Sequence, residues 1–150
     1  MASGFYNSFF SALYRAQIDF SAVTLKVALV SASYVFDENA RDSDEFFSDI
    51  SGEISGTGYT AGGAALANVT VNDAAPGVGN NRVFVDADNA LWASTTLSGV
   101  RGAVLYVDTG TPSTSRLIRY LDFGTDQSSA GTPFEVRFSQ LGILDMAEAS

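Results

Sequence analysis

Apolar and polar positions follow two different periods along this chain. Near the N-terminus Phe5, Phe9 and Leu13 recur every fourth residue beside Tyr6, Phe10 and Tyr14, which is the spacing of one broad helix face. The pattern predicts an amphipathic helix within 1–18, capped by Ser3, whose aromatic stripe must dock on a sheet or on a neighbouring subunit. Downstream the period shortens to that of strands. VTLKVALV at Val23–Val30 has the aliphatic density of a strand buried for much of its length, with Lys26 marking an accessible edge or end. Ala103–Phe123, AVLYVDTGTPSTSRLIRYLDF, reads as two apolar strands joined by the turn-forming residues Asp108 to Ser115. Shorter strands are expected at Leu66–Val71, Arg82–Val85, Ala90–Ala93 around Trp92, and Phe134–Phe138, where FEVRF alternates apolar and charged residues.

The connections are less uniform. Asp37–Asp44 is a charged link, and DEFFSDI at Asp44–Ile50 predicts one short additional helix, with Ser43 as N-cap and Phe46, Phe47 and Ile50 anchoring it. Ile54–Ala67, rich in Gly, Ala and Thr, fits a loosely specified strand or a flexible loop. NDAAPGVGNN at 72–81 reads as an exposed loop, and 144–150 as a flexible tail. No repeat, linker or shift in composition marks a second domain, so 1–150 is expected to form a single mainly β, antiparallel β-sandwich-like domain with an N-terminal α-helix.

Composition narrows the chemistry. Cysteine and histidine are both absent, which excludes disulfides, thiolate nucleophiles, Cys/His zinc sites and a Ser-His-Asp triad. With 17 acidic against 8 basic residues the net charge is −9, a balance that repels phosphate backbones and anionic lipid. Direct nucleic-acid and membrane partners are therefore not expected. MASGFYNSFFSALYR lacks the basic start and continuous apolar core of a secretory signal, so synthesis in the cytoplasm is the expectation.

Candidate motifs each meet a simpler alternative. Asp86-Ala87-Asp88-Asn89 resembles the start of a calcium loop, but Ala90, Leu91 and Leu97 stand where the pattern needs an oxygen ligand, Gly and Glu, so a solvated turn is preferred. The acidic group Asp37, Glu38, Asp42, Asp44 and Glu45 reads as a solvated face. Gly56-Thr57-Gly58 and Gly62-Gly63 lack a following GK[ST], and the sequon at Asn68-Val69-Thr70 has no signal to support it. A glycosidase would need two carboxylates in one cleft, and sequence selects no such pair. No catalytic residue, cofactor or metal site is assigned.

LKVALV at Leu25–Val30, EFFSDI at Glu45–Ile50, VFVDADNALWA at Val83–Ala93 and GAVLYVDTGTPSTSRLIRYLDF at Gly102–Phe123, in this order, resemble a family of small virion proteins of tailed bacteriophages. YVDTGTPSTSRLIRYLDF is the most specific phrase, whereas SQLGILDMAEAS departs from the expected apolar terminal strand. The resemblance implies a non-enzymatic structural protein that decorates or cements a capsid, located in the virion, with the major capsid protein and copies of itself as partners. A tail or neck component is the alternative. In a decoration role Phe5, Phe9, Phe10 and Tyr14 are the candidate interface. A host-surface or glycan-binding module is the competing class, and it would gather aromatic side chains near polar loops around Tyr59, Trp92 and the 108–115 loop.

Overall fold

The computed structural model describes residues 3–37, 43–73, 82–139 and 142–147. In chain order the elements are β1 (Gly4–Phe5), α1 (Asn7–Tyr14), β2 (Thr24–Ser31), β3 (Ala64–Ala65), β4 (Thr70–Asn72), β5 (Arg82–Asp86), β6 (Ala90–Asp108), β7 (Leu117–Val136) and β8 (Leu144–Ala147). Single 3-10 turns lie at Phe47–Asp49 and Pro112–Thr114. The protein is mainly β and antiparallel, as the periodicity predicts. One sheet has the order β1-β7-β6-β2-β3 and the other β4-β5-β8.

The unbroken apolar run of β2 has a structural cause: both of its faces are covered. Leu25, Val27 and Leu29 join Ala103, Leu105, Val107 and Ile118 in a core that also takes in Phe9 and Ala12 of α1 and Val85 and Leu144 of the smaller sheet. The two sheets thus share one core in a sandwich-like arrangement. On the opposite face Ala28, Val30, Val104, Tyr106, Leu117 and Tyr120 lie beneath Tyr6, Tyr34 and Phe36, with Phe47 and Ile50 packed alongside. Burying each such Val, Leu or Phe side chain contributes about 1.5–3 kcal/mol. Lys26 is not at an edge; β2 lies between β6 and β3, and Lys26 closes an ion pair of 2.9 Å with Asp108 at the end of β6.

The expected hairpin exists and is longer than the apolar pattern suggests. β6 and β7 run for 19 and 20 residues, absorbing the strands expected at Ala90–Ala93 and most of that at Phe134–Phe138. Register shifts between Trp92 and Thr95 and between Leu97 and Val100 interrupt strict alternation along this ladder.

Four expectations are corrected. The helix occupies only Asn7–Tyr14, because Gly4 and Phe5 pair with Tyr120 and Arg119 at the edge of β7. Ser3 does not cap it: its Oγ accepts the Asp122 N–H at 2.8 Å, and Tyr6 holds the N-cap position without a side-chain cap. Ser43 does not cap the short helical turn expected within Asp44–Ile50: that turn is the 3-10 turn Phe47–Asp49, with Phe46 at the N-cap position and Asp49 Oδ2 accepting the Glu45 and Phe46 N–H groups. Leu144–Ala147 is a strand paired with β5 from Val85 to Arg82, not a flexible tail; 148–150 lie outside the described residues.

The Gly-rich stretch Ile54–Ala67 is laid against the main sheet through a Val30–Glu53 bridge, a Thr57–Thr96 bridge and β3. Of the strand expected at Leu66–Val71, Thr70–Asn72 is β4, while Leu66 donates its N–H to Leu25 O. The loop expected at 72–81 lies outside the described residues from 74 onward.

Candidate functional site

The four N-terminal aromatics separate into a packed group and one exposed ring. Phe9 is buried between Phe5 at 5.8 Å, Phe10 at 5.3 Å and Phe20 at 6.2 Å, centroid to centroid. Phe5 is half-buried with the Arg119 guanidinium 5.0 Å from its ring centre, and Phe10 packs 5.4 Å from Phe5. Tyr14 alone faces solvent, with 88% of its surface exposed.

Tyr14 follows Leu13 on the last turn of α1, and Leu13 lines an apolar groove of about 160 Å³. The groove's other walls are Phe20, Val71 of β4, Val83, Phe84 and Val85 of β5, and Leu144 of β8. Every lining side chain is apolar. Val71 and Val83 remain 52% and 45% exposed, so the groove continues outward as an apolar surface. Its frame is rigid at the helix end: Gln17 N–H returns to Ala12 O at 2.9 Å and Ala16 N–H to Leu13 O at 3.1 Å, closing the helix through the left-handed Ala16 (φ 56).

A second concavity, with mixed polar and apolar walls, lies at the tip of the β6–β7 hairpin. About 330 Å³ is enclosed by Lys26, Phe47, Glu53, Tyr106, Asp108 and Pro112, with the 61–62 turn and Ser115 completing the wall. Phe47 stacks on Tyr106 with centroids 4.2 Å apart and planes 12° from parallel. Glu53 Oε1 accepts from Tyr59 OH at 2.7 Å and from Gly62 N–H at 2.6 Å, while Tyr106 OH donates to Gly62 O at 2.7 Å. The Lys26 hydrogen bond, reinforced by Gly110 N–H, holds the Asp108 carboxyl below the ordinary carboxylate range against partial loss of water. Burial pushes the Tyr106 hydroxyl well up, with Asp108 and Glu53 adding to the effect.

The aromatics expected near a glycan do not converge on this cleft. Tyr59 packs 5.8 Å from Trp92, and Trp92 is buried in the core. The 108–115 loop does line it, joined by Lys26 and Phe47, which the sequence singled out for other roles, and by Glu53, which it did not single out. Asp88 accepts from Asn68 Nδ2 and Asn89 bridges Glu135 and Phe138, so Asp86 ends β5 and 87–89 form an irregular link to β6 tied by side-chain hydrogen bonds, in place of the expected solvated turn. Of the acidic group, Asp44 accepts from Tyr34 OH and Glu45 pairs with Arg116 at 2.7 Å; Glu38 and Asp42 lie outside the described residues. Among the described residues no group of three or more acidic side chains is placed to hold a metal, and no helix is long and apolar enough to cross a membrane.

No family model, curated protein or solved structure matches this chain.

Proposed function

We propose that this protein is a non-enzymatic structural component of a tailed-phage virion that decorates or cements the capsid. The apolar groove lined by Leu13 and open to solvent through Val71 and Val83, together with the exposed Tyr14 that follows Leu13 on α1, is the observation that carries the reading. Phe5, Phe9 and Phe10 support the contact indirectly by fixing α1 to the core, which presents Tyr14 on a docked backbone. The resemblance of Leu25–Val30, Glu45–Ile50, Val83–Ala93 and Gly102–Phe123 to phage virion proteins supplies the choice of partner, the major capsid protein.

Such a module sits at a junction between shell subunits, buries Tyr14, Val71 and Val83 there, and opposes separation of the subunits. Each side chain removed from water contributes about 1.5–3 kcal/mol if fully covered. Repetition over a symmetric shell multiplies a modest contact, and neighbouring copies of this chain add to it. The net charge of −9 keeps the outward surface soluble and away from packaged DNA. The test is to add labelled protein to capsids that lack it and image them by electron microscopy at physiological salt. Regular occupancy of lattice points is expected; density confined to the neck or tail would move the assignment there.

A further inference from the structure

We propose that the cleft at the tip of the β6–β7 hairpin is a binding site for a neutral saccharide. Its polar atoms come from three separated parts of the chain: Lys26 on β2, Glu53 in the segment that follows the first 3-10 turn, and Asp108 at the end of β6. Two carboxylates accept hydrogen bonds and one ammonium donates them, and vicinal sugar hydroxyls can do both. Phe47 and Pro112 supply apolar surface for the C–H face of a pyranose ring. This mixture of a few directed polar groups with apolar walls is the usual composition of a small-molecule site.

Charge and size narrow the ligand class. Glu53 and Asp108 outweigh Lys26, so phosphates, nucleotides and other anions are repelled. The Lys26 ammonium, already paired with Asp108 at 2.9 Å, opposes a divalent cation at the same carboxylates. The volume of about 330 Å³ stands at the small end of ligand pockets, which suits one sugar unit in preference to a long chain.

The polar groups are also held in place before any ligand arrives. Glu53 is fixed by Tyr59 OH and Gly62 N–H, and Asp108 by Lys26 and by Gly110 N–H at 3.0 Å. The loop above them is braced internally: Ser115 Oγ donates to Thr111 O at 2.9 Å and accepts the Thr109 N–H at 3.1 Å. A fixed site loses little entropy on binding, although an open cleft of this size still implies a Kd on the order of 1–10 mM.

The experiment is a two-dimensional amide NMR titration of the full ¹⁵N-labelled chain. Methyl α-glucoside, methyl β-galactoside and N-acetylglucosamine serve as probes, each to about 50 mM, a range that saturates a site of this strength. At least one probe is expected to give saturable shifts at Gly62, Gly110 and Ser115. Ala61→Trp, placed on an exposed turn at the mouth, should weaken that binding at least tenfold while distant resonances stay in place. Asp108→Asn, which removes a charged acceptor with little change of shape, should weaken it about tenfold and stands as the second variant should Ala61→Trp perturb folding. No saturable shift with any of the three sugars, or shifts that survive both variants, would overturn the assignment. Because the titration uses isolated protein, its failure leaves the capsid-binding reading to be judged on capsids alone.

Discussion

Ala16 closes α1 with φ at 56°, a left-handed conformation that a Cβ makes costly and that glycine adopts freely. Ala16→Gly is therefore expected to stabilise the protein by about 0.5–1 kcal/mol, read as a higher urea midpoint at unchanged slope. Gly63 presents the opposite case. It has φ at 78°, and an added Cβ would collide with the Val27 carbonyl where β3 joins β2. Gly63→Ala should cost about 1–3 kcal/mol in the same assay. Burial likewise raises the hydroxyl pKa of Tyr6 and Tyr34, which share a hydrogen bond of 2.8 Å, and of Tyr59, which packs on the other core. The folded state keeps these protons longer than the unfolded chain, which releases them near pH 10. Their contribution is thus complete below about pH 10 and is lost as pH climbs toward the raised folded values. Tyrosinate absorbance and circular dichroism should change together in one alkaline step. Ionisation of these rings well ahead of unfolding would contradict the packing described.

Among the elements, α1 depends on its docking more than on its own propensity, since eight residues are too few for a stable isolated helix. Phe9→Ala should cost about 3–5 kcal/mol, measured by chemical denaturation, because Phe9 lies among Phe5, Phe10 and Phe20 in the main core. How much of this was legible in sequence differs from element to element. β2 and the inner half of the β6–β7 hairpin were, because Leu25, Val27, Leu29, Leu105 and Ile118 are apolar where core contact requires it. The outer half was not: residues 124–133 carry small, polar and largely exposed side chains, and the bulges break the two-residue period. β1 and β8 were hidden for another reason. Gly4–Phe5 and Leu144–Ala147 become strands only because distant partners, β7 and β5, offer pairing edges, and local patterns do not report such competition. The same holds for both candidate sites. Tyr14 was legible as an apolar helix residue, but the gathering of Leu13, Val71 and Val83 on one groove, or of Lys26, Glu53 and Asp108 on one cleft, follows only from how distant elements pack.

At the scale of the whole molecule, an apolar groove at the end of α1 is set in a strongly acidic chain. The charge balance of −9 means that a contact driven by the groove should hold as salt rises, whereas one driven by charge would weaken as the screening length falls to about 3 Å at 1 M. Capsid occupancy measured at physiological and at about 1 M salt should therefore be nearly the same.

The proposed function places the contact with the shell on Tyr14 and on Val71 and Val83 of the apolar groove. Its most direct test is co-sedimentation of the Tyr14→Ser/Val83→Thr double variant with capsids lacking the protein, side by side with the unaltered chain. Both positions are substantially exposed, so stability should change by no more than about 0.5 kcal/mol per substitution. At least tenfold weaker binding by a folded variant is expected, as loss of an aromatic anchor implies. Binding equal to that of the unaltered protein would contradict it and place the contact on another face.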